Sequence, residues 1–170
     1  MLEALVSILI LAFGMLGLAG LEVRIQDAAS ESYQRAQAVL LAQDMVNRLS
    51  AGRPNAAAYL TATPLGTGDS QPASCAGLTG VALDQCEWSL ELKGAAEKQA
   101  GSGNYVGAMT GARGCVEQVG ANPPIFRISV AWQGMAHLNT PSLACGQNLY
   151  GNDGFRRVIA GSVSVACLTC

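Results

Sequence analysis

The chain has 170 residues, enough for one domain and an anchoring segment, with a net charge of −2 and only 13% charged residues. So weak a charge provides no basic surface and excludes nucleic acid as a primary ligand. A single histidine, His137, leaves a cysteine–histidine zinc centre poorly supplied, although Cys167 and Cys170 form half of a zinc-binding spacing.

The first 21 residues, MLEALVSILILAFGMLGLAGL, are apolar apart from Glu3. Residues 4–21 carry no charge and, as a helix, would extend roughly 27 Å, close to the hydrocarbon thickness of a bilayer. An ionised carboxylate deep in hydrocarbon costs about 2.5–3.5 kcal/mol, so Glu3 requires a partner. A secretory signal peptide would open on a basic region that Met1-Leu2-Glu3 does not supply. A plain anchoring helix accounts for the apolar run but leaves Glu3 unexplained. Gly14, Gly17 and Gly20 recur at three-residue steps, which suits close helix packing, a local weak point, or the ordinary glycine tolerance of a membrane helix.

Residues 22–50 contain neither proline nor glycine, and Gly52 and Pro54 follow as terminators. Ile25, Ala29, Tyr33, Ala36, Leu40, Val46 and Leu49 recur at helical steps, which predicts that the same helix continues with one face to bury. Arg24, Gln26, Asp27, Glu31, Arg35, Gln37, Asp44 and Asn47 supply its water-facing side. The whole helix would run for about 50 residues, roughly 75 Å. Three segments result: an oily half over 1–21, an amphipathic half over 22–50 and a globular head over 51–170.

Residues 54–74 are rich in Ala, Thr, Gly, Ser and Pro and read as an exposed connector. All six cysteines, Cys75, Cys86, Cys115, Cys145, Cys167 and Cys170, follow the helix, which places the head in an oxidising compartment. Cys75 and Cys86 bracket a short turn-rich loop and are expected to pair. Cys115 with Cys145 is the expected second bond, with Cys167 and Cys170 pairing locally or with a partner; spacing alone leaves the partners of these four open. Trp88 and Leu92 fit either a helix with Val81 and Ala95 or a strand with Leu90. Residues 94–114 hold six glycines and suggest loops at a sheet edge. The strand signal is strong over Phe126, Ile128, Val130 and Trp132, which alternate with Arg127, Ser129 and Ala131 behind Asn122-Pro123-Pro124. Ile159, Val163 and Val165 repeat the pattern, and a shorter strand is expected over 113–119. The fold class is therefore α+β, a long amino-terminal helix packed on a small antiparallel sheet.

The head of the chain, Leu-Glu-Ala-Leu-Val and Gly-Met-Leu-Gly-Leu-Ala-Gly-Leu, resembles type IV pilins, and PilV-type minor pilins in particular. The carboxy-terminal third adds Phe126-Arg-Ile-Ser-Val-Ala-Trp-Gln-Gly134, Ala144-Cys-Gly-Gln147, Tyr150-Gly151 and Phe155-Arg-Arg-Val158, so the likeness covers about half the chain. Residues 54–114 match only by cysteine placement and composition. The resemblance implies a type IV pilin-like fold, favours the helical reading around Trp88, and makes Glu3 the counterpart of the family glutamate. In the family that glutamate is fifth in the mature protein, behind a methylated amino-terminal residue. Here it is third, so the chain looks trimmed by about two residues and a leader.

No catalytic constellation accompanies these features. His137 lies in a loop-like stretch, Glu87 and Glu91 read as a solvated helix face, and no phosphate loop, His-Glu-x-x-His or calcium loop is present. The expectation is a non-enzyme without cofactor or metal. In a bundle of such helices Glu3 would neutralise the amino terminus of a neighbour, removing two unpaired charges from a low-dielectric core. The resemblance implies a single-pass inner-membrane precursor that enters a pilus, near its tip, with other minor pilins, the major pilin and a PilY-type tip adhesin. Two further readings compete: a minor pseudopilin of a type II secretion system, and a membrane-anchored periplasmic binding protein for which Glu3 would be dispensable.

Overall fold

A computed structural model describes residues 2–95, 100, 105, 107 and 109–165. Cys167 and Cys170, and the expectations attached to them, lie outside these residues, as does part of the glycine-rich stretch. Helix α1 spans Leu2–Ala51, with Glu3 in its first turn and Arg48 in its last, the order that complements the helix dipole. The backbone stays helical through Gly14, Gly17 and Gly20. By internal contacts the chain divides within α1 into Met1–Gln34 and Arg35–Cys170.

In the second unit a short 3₁₀ helix, Arg53–Tyr59, follows α1 with Pro54 in its first turn. Then come β1 (Leu65–Gly66), α2 (Gly80–Leu92), β2 (Arg113–Ala121), β3 (Pro124–Gln133), a 3₁₀ turn at Asp153–Phe155 and β4 (Arg156–Ser164). The four strands form one antiparallel sheet in the order β1-β2-β3-β4. Asn122-Pro123, joined by a cis peptide bond, makes the tight β2–β3 turn, and a register shift lies between Gln118 and Gly120. The region around Trp88 is helical, and both long strands expected from alternation are present.

One face of the sheet carries Val116, Phe126, Ile128, Val130 and Trp132, and the main core forms between it and the two helices. Helix α2 contributes Trp88 and Leu92, while the end of α1 contributes Ala38, Ala42, Met45 and Leu49, at steps of three and four. Trp88 reaches α1 directly, its indole Nε1 donating to the Leu41 carbonyl at 2.9 Å. Gly114 lets that ring lie against β2: a Cβ there would stand 2.1 Å from Trp88 Cη2. Any side chain at 114 would displace the indole.

The buried face of α1 differs from the one its large apolar residues suggested. Leu49 is fully buried, but Leu40 is 69% exposed and Ile25 and Tyr33 are exposed as well. Leu40 and Leu49 are nine positions apart, about two and a half turns, so they project from opposite sides of the helix. The side that enters the core is marked by Ala38 and Ala42, small buried residues that contribute little to a hydropathy pattern. Residues 54–74 also depart from a free connector. Ala56, Tyr59 and Leu65 are buried, and Thr61 exchanges hydrogen bonds with Val116, its Oγ1 accepting from the amide at 2.9 Å.

These assignments separate two leucines of one helix. Leu49→Ala should destabilise the head by about 2–5 kcal/mol through lost burial and a residual cavity. Leu40→Ala should change it by less than about 0.5 kcal/mol. Denaturant unfolding of the full chain in detergent micelles checks both values.

Candidate functional site

Glu3 and the helix that carries it form the first candidate. Every residue over 2–29 is exposed, including Leu5, Ile8, Leu9, Leu11, Phe13, Leu16 and Leu18, which point to all sides of the helix. This part of α1 is long and apolar enough to cross a membrane, with a mean hydropathy of 2.5. Within it Ser7 Oγ donates to the Glu3 carbonyl at 2.8 Å, a local bond that leaves the Glu3 carboxylate unused. Among the described residues no cation pairs with that carboxylate.

The second candidate is the bracing of the head. Cys75–Cys86 and Cys115–Cys145 are both disulfide-bonded, as expected, and both have Cα atoms 5.8 Å apart. The first ties the loop before α2 to the buried side of that helix. The second ties β2 to the β3–β4 loop. That loop covers the other face of the sheet, where Cys115, Ala131, Cys145 and Tyr150 form a small second core with Val158 at its edge. Tyr150 Oη donates to the Gly111 carbonyl at 2.9 Å, and the Arg113 guanidinium lies over its ring, 4.8 Å from the centroid. Burial pushes the Tyr150 hydroxyl pKa up. His137, in the same loop, is exposed and meets Phe155 edge to face.

Charge organises the seam between α1 and α2. Arg48 donates to Asp44 at 2.6 Å, Glu87 at 2.5 Å and Glu91 at 3.1 Å, with Asp84 at 3.5 Å. Glu87 and Glu91 are therefore not a merely solvated face; they turn toward a cation on another helix. Burial disfavours the Arg48 charge, but the hydrogen bonds it donates to Glu87 and Asp44 outweigh it and raise its pKa. Glu91 is pushed up by burial and by the nearby Asp44. Tyr59, fully buried, donates its hydroxyl to Asp84, and burial together with that bond pushes its pKa up to about 12. Asp44 and Arg48 sit at i,i+4, a pairing visible in the sequence, whereas the convergence of α2 on Arg48 depends on packing.

Asp69 holds the other end of α2. Its buried carboxylate accepts from the Gly66 amide at 2.8 Å, the Gln71 amide at 3.2 Å, Ser89 Oγ at 2.6 Å and Lys93 Nζ at 2.5 Å. Burial alone would raise its pKa, but the bonds from Lys93, Ser89 and the two amides prevail and hold it below the usual carboxylate range. In the sequence Asp69 carries no signal beyond its place in Gly68-Asp69-Ser70. Among the described residues no group of three or more His, Cys, Asp or Glu side chains has the arrangement to hold a metal ion.

No protein-family model, curated protein or solved structure matches the chain.

Asp69 gives the head a defined acid response. Because its folded pKa lies below the unfolded one, its stabilisation is complete above about pH 4 and is lost as pH falls through the folded value. Asp69→Asn should cost about 1–3 kcal/mol at neutral pH, since an amide nitrogen would face donors. The gap between wild type and variant should stay constant from pH 7 down to about 5 and close below about 4, as read by denaturant midpoints across pH.

Proposed function

We propose that this chain is a minor pilin of a type IV pilus, a non-enzymatic subunit made in the bacterial inner membrane with its head in the periplasm. From there it enters the filament near the tip, with other minor pilins, the major pilin and a PilY-type adhesin as its neighbours. The observation that carries the proposal is α1 itself. Over residues 2–21 it exposes apolar side chains in every direction and holds one carboxylate, while its last turns are seated in a disulfide-braced head.

A helix apolar on all sides must be surrounded by something equally apolar, and both lipid and a sheath of similar helices meet that need. Glu3 separates the two environments. The hydrocarbon of a bilayer offers a carboxylate no counter-charge, whereas a neighbouring helix offers its amino-terminal ammonium. Leaving either charge alone in a dry helix bundle is costly, so subunits that pair the two are favoured over those that cannot. Apolar contact supplies attraction and the charge pair supplies register.

The resemblance of Leu2-Glu3-Ala4-Leu5-Val6 and of the β3 and β4 segments to PilV-type minor pilins supports a pilus in preference to a plain anchor. The two disulfides suit the oxidising space in which such a head would fold.

Glu3→Val in cells lacking the native copy is the test. The head should keep its thermal stability and the protein its membrane level, while incorporation into sheared pili and pilus number fall. Unchanged incorporation and pilus number at equal membrane level would remove the assembly role and leave a simple anchor.

A further inference from the structure

The sheet face beneath the β3–β4 loop holds an arginine that is 1% exposed, Arg156, the first residue of β4. Its Nη1 donates to the carbonyls of Leu143 at 2.5 Å and Cys145 at 2.9 Å. Its Nη2 donates to the carbonyl of Pro141 at 3.1 Å and to Asp153 Oδ2 at 3.1 Å. A planar guanidinium with a fixed fork of donors, directed at alternate carbonyls of residues 141–145, fixes the path of that stretch. The stretch ends on Cys145, whose Sγ lies 3.6 Å from the carbonyl of Ser129. Ser129 is the register partner of Cys115 in the β2–β3 ladder. The carbonyls that Arg156 holds thus deliver Cys145 to its disulfide partner.

Chain statistics alone do not favour that bond. Cys115 is 30 residues from Cys145, and both Cys167 and Cys170 are nearer to it in sequence. The Arg156 contacts close over only 3 to 15 residues, so the cost in loop entropy is smaller for them than for the disulfide. We propose that Arg156 is a positioning residue for oxidation: it gathers residues 141–145 onto the sheet while the cysteines are still thiols and so selects Cys115 as the partner of Cys145.

The oxidant is an external disulfide, either a small molecule or a protein. The Cys115 thiolate attacks one of its sulfurs, breaking that disulfide and releasing one thiol. The positioned Cys145 thiolate then attacks Cys115 Sγ, forming the Cys115–Cys145 bond and expelling the second thiol. Two electrons and two protons pass to the external disulfide, which ends as two thiols. Arg156 takes no part in the exchange; it sets the geometry of the second attack.

The Cys75–Cys86 bond of the same molecule is an internal reference. Reduced full-length chain is refolded in detergent micelles with oxidised and reduced glutathione, quenched by alkylation at intervals, and its disulfide-linked peptides are quantified. In Arg156→Met the rate of Cys115–Cys145 formation should fall about tenfold relative to Cys75–Cys86, and peptides joining Cys145 to Cys167 or Cys170 should appear. Arg156→Lys, which keeps the charge but not the fork, should fall between the two. In an Arg156→Met chain that also carries Cys167→Ser and Cys170→Ser, the final yield of the native bond should recover while its rate stays low. An unchanged rate ratio in Arg156→Met overturns the proposal. So does an equal fall in both disulfides, which would show that Arg156 acts only through the stability of the head.

Discussion

The seating of the end of α1 in the main core is the contact on which the head depends. Ala38, Ala42, Met45 and Leu49 are buried there with residues of the sheet and of α2. Large side chains at 38 and 42 would overpack these buried positions and strain the nearby indole bond from Trp88 to Leu41. The Arg48 network then fixes α2 along the same stretch of helix, so that apolar contact and charge act at one seam. Each large apolar side chain buried here contributes about 1.5–3 kcal/mol, more than any single ion pair at its edge.

Much of this was legible in the chain. Alternation from Phe126 to Trp132 located β3, because one face of that strand meets a thick core and period-2 patterning survives. The turn-rich stretch between Cys75 and Cys86 indicated their pairing. Less legible was the second face of the sheet. Ser129 and Ala131 are as buried as their apolar neighbours, because a loop rather than a helix covers them, and a loop carries no periodicity. The orientation of α1 is hidden in the sequence for a related reason. Ile25, Tyr33 and Leu40 form a true apolar stripe, but it is not the stripe that this chain buries.

Polar groups that act at a distance in sequence were the hardest to foresee. Asp69 and Arg48 draw partners from segments far apart in the chain, Arg156 gathers the loop just before it, and each looks in isolation like an ordinary surface residue. Their burial follows from packing that the apolar residues establish first. Glu3 is the opposite case. It stands out in the sequence because its neighbours are so uniform, and the surrounding helix leaves its carboxylate unmatched among the described residues.

Both described disulfides join residues that come after α1 in the chain. The helix is thus linked to the head covalently only through its own carboxy-terminal turn, while the head itself is cross-linked. Tension applied along α1 would load the seam in shear: the Ala38–Leu49 contacts would slide, and the bonds from Arg48 to α2 would resist first. The covalent loops behind that seam would keep β2 and α2 tethered to their surroundings. Mechanical failure would therefore begin at the helix, with both covalent loops still intact.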